Sequence, residues 1–239
     1  MTLSLDHVIV SVNDLQTAIE TYRSVGFVVN YGGKHADGVT ENALIVFQDG
    51  TYIELIALVE GRTRDEANFK QLLKETGEGF TGYALLSDNI EADLASLKQR
   101  GANVGQIQQG SRQTPDGQIL QWEMAPIDHQ MSPFIIQDVS DRSLRVKTTP
   151  ENVTHTNGAS GIHEILIEVS NLREAAQHYG DDVSAPLAQY KSLRFEVGDS
   201  AIVLHSVKGG TMEPYTLTLH TNRTTRNPYT LHGANVLFI

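Results

Sequence analysis

From Leu5 to Val12 (LDHVIVSV) apolar and polar residues alternate and β-branched types fill most apolar positions, which predicts a half-buried strand. Asn13 and Asp14 follow as capping types, and Leu15, Ala18, Ile19 and Tyr22 then recur at helical spacing until Gly26 stops the run. Three strand-like runs come next: Phe27–Tyr31, Ala43–Phe47 and Tyr52–Leu58. The last two are joined by the hairpin dipeptide Asp49-Gly50. The unit reads β-α-β-β-β.

The same order starts again further on. A shift of 75 residues carries Val8-Ile9-Val10 onto Tyr83-Ala84-Leu85, Asn13-Asp14 onto Asp88-Asn89, Ile19 onto Leu94 and Gly26 onto Gly101. Val104–Gln108, Ile119–Met124 and Phe134–Val139 supply three more strands, with Pro115-Asp116-Gly117 as a turn. A shift of 157 residues carries Val8, Val10 and Val12 onto Ile165, Ile167 and Val169, and Leu15, Ala18 and Tyr22 onto Leu172, Ala175 and Tyr179. Leu193–Val197, Ala201–Val207, Tyr215–His220 and Val236–Ile239 follow as strands. Residues 140–160 are polar, hold Pro150 and have weak periodicity, so they read as a linker. The predicted fold class is α+β. Residues 1–139 hold two β-α-β-β-β modules, 1–60 and 79–139, and residues 161–239 hold a partial third.

Composition narrows the function classes. Of the 239 residues 40% are hydrophobic and 20% charged, the balance of a globular protein with a sizeable core. A net charge of −11 and a pI near 5.2 oppose binding to nucleic acid and to anionic membranes, and no basic stripe interrupts the acidity. With no cysteine, disulfides, thiolate nucleophiles and zinc–sulfur sites are excluded. No apolar run approaches the ~20 residues of a membrane span and no signal-peptide pattern opens the chain, so a cytoplasmic location is expected. Glycine-rich phosphate loops, Ser-His-Asp spacing and HExxH are absent. Gly32-Gly33 and Gly209-Gly210 are isolated doublets that read as turns, and no nucleotide cofactor is expected.

Tandem β-α-β-β-β modules resemble the vicinal oxygen chelate superfamily of glyoxalase, bleomycin resistance and dioxygenase proteins. The segments LDHVIVSVNDLQTAIETY, GGKHADGVTENALIVFQDGTYIELIAL and GSRQTPDGQILQWEMAP are similar to its glyoxalase-like branch. The resemblance implies a curved mixed sheet forming a cup, into which His7 of the first strand and Glu54 of the Tyr-Ile-Glu-Leu-Ile strand both point. It also implies two metal ligands from each half. In the second half Gly82 stands in the place of His7, and Gln137 is read as standing where a glutamate is usual, so the set is incomplete.

Alternation puts His7 on the face of Ile9 and Ser11, and Glu54 on that of Tyr52 and Ile56. An ionised carboxylate in an apolar strand needs relief, and a metal, a cationic partner or a proton would each provide it. Imidazole nitrogen with carboxylate oxygen suits a divalent cation such as Zn, Mn, Fe or Ni. A plain His7–Glu54 hydrogen bond is the structural alternative. His35, after Gly32-Gly33, is a candidate third ligand or proton carrier, because imidazole changes charge near neutral pH. Arg112, in a predicted loop, is a candidate grip for a carboxylate or enolate. Trp122 is the only tryptophan and alternates with Leu120 and Met124 as a candidate cavity wall or core residue. Asp128 and His129 lie in a loop able to reach the cup mouth. His163, Glu164 and His205 suggest a degenerate second site, or a half-module kept for packing or for a homodimer.

The functional expectation is a small-molecule enzyme of the glyoxalase-like kind, a lyase, isomerase or dioxygenase. A divalent metal on His7 and Glu54 would polarise a substrate with adjacent oxygens, Glu54 or His35 would move a proton, and Arg112 and Trp122 would hold the substrate. The alternative is a metal-free binding or resistance-type protein that sequesters a small molecule in the same cup.

Overall fold

The computed structural model of the chain describes residues 3–36, 38–59, 73–74, 77–127, 133–177, 191–209, 211–224 and 227–239. The first module comprises Ser4–Ser11 (β1), Leu15–Ser24 (α1), Asn30–His35 (β2), Thr40–Val46 (β3) and Tyr52–Leu58 (β4). The second comprises Gly79–Leu86 (β5), Ile90–Gln99 (α2), Gln108–Gln113 (β6), Ile119–Pro126 (β7) and Phe134–Asp138 (β8). Local chemistry accounts for the helix bounds. The Asp14 carboxylate accepts from Thr17 N at 2.6 Å and Asn89 Oδ1 from Ala92 N at 3.0 Å. Each helix then stops at a glycine, Gly26 or Gly101, whose φ of +93° an L side chain resists.

Two strands lie further along the chain than their apolar content predicts. β2 starts at Asn30 rather than Phe27, and Val104 makes only an isolated bridge to Ile127 while the strand is Gln108–Gln113. Phe27 and Val29 go into the core instead. The polar, glycine-bearing runs NYGGKH and QQGSRQ become strands because each pairs with the next strand of its own module, β3 or β7, and the two then meet each other at their ends.

That pairing closes a barrel in the order β1-β4-β3-β2-β6-β7-β8-β5. β1 runs parallel to β4 with Ile9 opposite Glu54, and β5 runs parallel to β8 with Ala84 opposite Phe134, so both modules use one pairing rule. β1 and β5 join the modules on one side; β2 and β6 join them on the other through Lys34–Gln113 and His35–Arg112. Gly32-Gly33 therefore lies in a strand, not a turn. A Cβ on Gly33 would overlap the Gln113 carbonyl, and one on Gly32 the side chains of Asn42 and Arg112.

Beyond β8, two short helices, Arg142–Arg145 (α3) and Pro150–Val153 (α4), lead to Ala159–Val169 (β9), Leu172–Gln177 (α5), Ser192–Val197 (β10) and Ser200–Ser206 (β11). Thr211–Thr221 (β12), Tyr229–Leu231 (β13) and Ala234–Phe238 (β14) complete a second sheet of order β10-β11-β9-β12-β14-β13. β9 is parallel to β11 and antiparallel to β12, and β12 is parallel to β14. This repeats the β3-β4-β1-β5-β8-β7 run of the barrel. Among the described residues no strands match the closing pair β2 and β6, and the described strands form an open sheet.

One core joins the two sheets. Val8, Val10 and Val12 turn away from the cup and pack with Ile53, Leu55, Ile165, Ile167, Leu217 and Leu219. His155 ties the 140–160 segment down: its Nδ1 accepts from Val28 N at 2.9 Å and its Nε2 donates to Val46 O at 3.0 Å, between the rings of Phe27 and Phe47. No helix among the described residues is long and apolar enough to cross a membrane.

Candidate active site

The concave side of the barrel encloses a cavity of about 460 Å³, and His7, His35, Glu54, Arg112 and Trp122 all line it. All five arrive by strand alternation. Arg112 is a β6 strand residue, not a loop residue, because β6 lies later in the chain than its apolar content suggests. Asp128 and His129 lie outside the described residues.

His7 and Glu54 share the cavity floor, with Nε2 3.3 Å from Oε2. His7 stacks on Tyr52 at 4.5 Å, with Phe134 edge-on at 5.6 Å. Its Nδ1 meets Asp6 Oδ2 at 2.8 Å. Adjacent strand residues ordinarily face opposite ways; here a register shift between Leu5 and His7 in the pairing with β5 brings Asp6 round to its neighbour. Asp6 is fully buried and held by two arginines from α3. Arg145 Nη1 donates to Asp6 Oδ2 at 2.7 Å, and Arg142 Nη1 lies 2.6 Å from Oδ1. Both guanidiniums also engage Asp138, and Arg145 donates to the Tyr52 hydroxyl.

These contacts set the charges. Burial opposes ionisation of Asp6, but Arg145, His7 and Arg142 outweigh it and hold the carboxyl well below the usual range. Burial works against a charged His7, yet Asp6 and Glu54 outweigh that and raise its pKa above the ordinary histidine value. Burial likewise pushes Glu54 up, while His7, His35 and the Asn42 amide pull it down to about 2. Asn42 Nδ2 donates to Glu54 Oε1 at 2.6 Å, and His35 Nε2 lies 3.7 Å from the same oxygen. His35 Nδ1 is bound to Thr40 Oγ1 at 2.7 Å, and its ring meets Trp122 edge-on at 6.1 Å. His7 Nε2 itself is buried with no hydrogen-bond partner.

The opposite wall is apolar. Ala84, Leu120, Trp122 and Ile136 form one cluster, with Met124 and Phe134 packed on it. Trp122 lies flat across Gly110 of the neighbouring strand, where any Cβ would overlap the indole. By the shared pairing rule Phe134 stands where Glu54 stands in the first half, and Gly82 where His7 stands. Gln137, read from sequence as the glutamate position, faces the other way: its Oε1 accepts from Ile90 N at the start of α2. Among the described residues no group of three or more His, Asp or Glu side chains is placed to hold a metal ion. The residues present do not fit a set of two ligands from each half.

Sequence reasoning missed Asp6, Asn42, Tyr52, Arg142 and Arg145. The adjacency of Asp6 to His7 was the available signal. Arg145 had none, since 139 residues separate it from Asp6. In the second sheet Glu164 pairs with Arg194, and His205 Nδ1 meets Ser192 Oγ at 2.7 Å. His205 stands opposite Glu168, four residues from Glu164, so these side chains form no shared site. His163 packs edge-on against His220.

Paired modules, a closed curved sheet and an inward-facing His–Glu pair define a vicinal oxygen chelate protein. The sequence profile of the glyoxalase-like domain matches residues 5–183, and the chain belongs to that family. Among solved structures it is similar over 99% of both chains to a hypothetical protein from Staphylococcus aureus, at 19% identity and a TM-score of 0.78. It is also similar, at 12% identity and a TM-score of 0.55, to a xylose isomerase-like TIM barrel/4-hydroxyphenylpyruvate dioxygenase fusion protein, over 92% of this chain and 36% of that one. Methylmalonyl-CoA epimerase from Mycobacterium tuberculosis aligns over 57% of this chain and 89% of its own, at 19% identity and a TM-score of 0.43. The first two of these likenesses establish the fold. No curated protein matches the chain.

Proposed function

We propose that the cup is an acid–base site that moves a proton on a small substrate with adjacent oxygens, using side chains rather than a metal. The observation that supports it is His7 Nε2, which is buried, unbonded and 3.3 Å from Glu54 Oε2 on the cavity wall. Ionised Asp6 takes the Nδ1–H, so Nε2 is the nitrogen that exchanges a proton with substrate. Glu54, with a pKa held at about 2, is a weak base; it stabilises the imidazolium while His7 carries the proton. His35, across from Glu54, is a second proton carrier, and Arg112 steadies negative charge developing on a substrate oxygen. The wall of Trp122, Phe134 and Ile136 lowers the polarity on that side of the cavity and so strengthens these interactions.

The test is solvent deuterium exchange into a panel of small 2-oxo acids and α-hydroxy carbonyl compounds, followed by NMR on protein purified without chelators. Exchange by the wild type, slowed ~10²-fold or more by His7→Ala and by Glu54→Gln, is the expected result. Exchange that survives both substitutions, or that a chelator abolishes and a divalent metal restores, would overturn it. Binding of such compounds without exchange would favour the ligand-sequestering alternative, which the apolar wall opposite His7 and Glu54 supports.

A further inference from the structure

The charged groups around the cup leave one cation without a carboxylate in ion-pair contact, and the Glu54 carboxylate acts on it only from longer range. Asp6 is engaged by His7, Arg142 and Arg145; Asp138 by Arg142 and Arg145; Glu54 by His7 and Asn42. Arg112 is 4% exposed, and among the described residues its guanidinium meets no carboxylate at ion-pair distance. Its Nη1 donates to the Gly32 carbonyl, a neutral partner, and the side chain lines the same cavity as His7 and Glu54. A buried guanidinium without an anion of its own is costly, because a neutral acceptor repays little of the lost hydration.

The remaining surface of the cavity gives the shape of what would repay it. Trp122, Met124, Phe134, Ile136, Ile9 and Ile56 present an apolar face, and the volume lies within the ~300–1,000 Å³ usual for small-molecule sites. The ionised Glu54 on the floor repels a second negative charge. We infer that the cup takes a monoanionic carboxylate with an apolar, ring-sized body, its carboxylate on the Arg112 fork and its body against Trp122. This names the substrate class of the acid–base site and rests on that reading only for what happens after binding. Gly32 leaves room for this arrangement, since a Cβ there would overlap both the Asn42 amide and the Arg112 guanidinium.

Because the chain has a single tryptophan and it lines the cavity, Trp122 emission reports binding without turnover. The probes are 3-phenylpropanoate, its neutral amide and the dianion benzylmalonate. For the wild type we expect saturable change with 3-phenylpropanoate at roughly tenfold or more higher affinity than with either comparator. Arg112→Gln should erase the preference for the acid over the amide, with circular dichroism unchanged, and Arg112→Lys should keep part of it. Equal affinity for acid and amide, a preference that survives in Arg112→Gln, or no binding of any probe would overturn the inference. Deuterium exchange is measured separately, so binding through Arg112 without proton transfer would sink the proposed chemistry and leave this binding class standing.

Discussion

At the scale of the residue, the site is a chain of charge compensation running Arg145–Asp6–His7–Glu54–Asn42. Each link has a definite pH sign. Glu54 is held below its usual value, so its contribution to stability is present above about pH 4.5 and is lost as pH falls toward about 2. His7 is raised, so its contribution is present below about pH 6.5 and is lost as pH rises through its folded value. Urea unfolding across pH should therefore show two opposite trends. The stability difference between wild type and Glu54→Gln shrinks on the acid side, and that between wild type and His7→Asn shrinks on the alkaline side. A difference independent of pH in either variant would show that the charged pair is not what these residues contribute.

At the scale of the element, the 140–160 segment matters more than its composition suggests. α3 delivers Arg145, 5% exposed, onto two carboxylates and a phenol, and His155 fastens the same segment to β3. Arg145→Met would leave Asp6 and Asp138 close together with one guanidinium fewer, and breaking a buried pair in this way costs ~3–5 kcal/mol. Urea denaturation followed by circular dichroism would read that loss; a change under ~1 kcal/mol would mean that Arg142 alone compensates both carboxylates. His155 behaves oppositely to His7. Burial holds it neutral, so what it contributes is present above about pH 6.5 and lost as pH falls through its folded value.

At the scale of the whole molecule, the barrel and the open sheet depend on one core. Val8, Val10, Val12, Ile53 and Leu55 carry essentially no exposed surface, and in a fragment ending at residue 139 they would lose the apolar residues of the second sheet. An apolar face of that kind promotes association. The fragment 1–139 is therefore expected to aggregate, or to unfold without the cooperative transition of the full chain in a thermal scan of Trp122 emission. A monomeric fragment with the transition of the full chain would show that the second sheet is a dispensable addition.

Read from the sequence alone, the periodicities, the caps at Asp14 and Asn89 and the stop glycines determined the module order, because they depend on residues only a few positions apart. Alternation grouped His7 with Ile9 and Glu54 with Tyr52, and the family resemblance turned both toward the cup. Trp122 was legible as a strand residue, whereas Arg112 was read as a loop residue and only the structure puts it on a strand facing the cavity. What joins distant segments was not legible. The barrel closes through β2 and β6, polar runs with no apolar signature, and only the register of β5 with β8 decides that Phe134, not Gln137, takes the place of Glu54 in the second half. The pairing of Arg145 with Asp6, and the missing carboxylate at Arg112, are likewise properties of assembled space. A charge can be counted in a sequence, but whether it is compensated depends on which groups the fold carries within a few ångströms of it, and only the tertiary structure decides that.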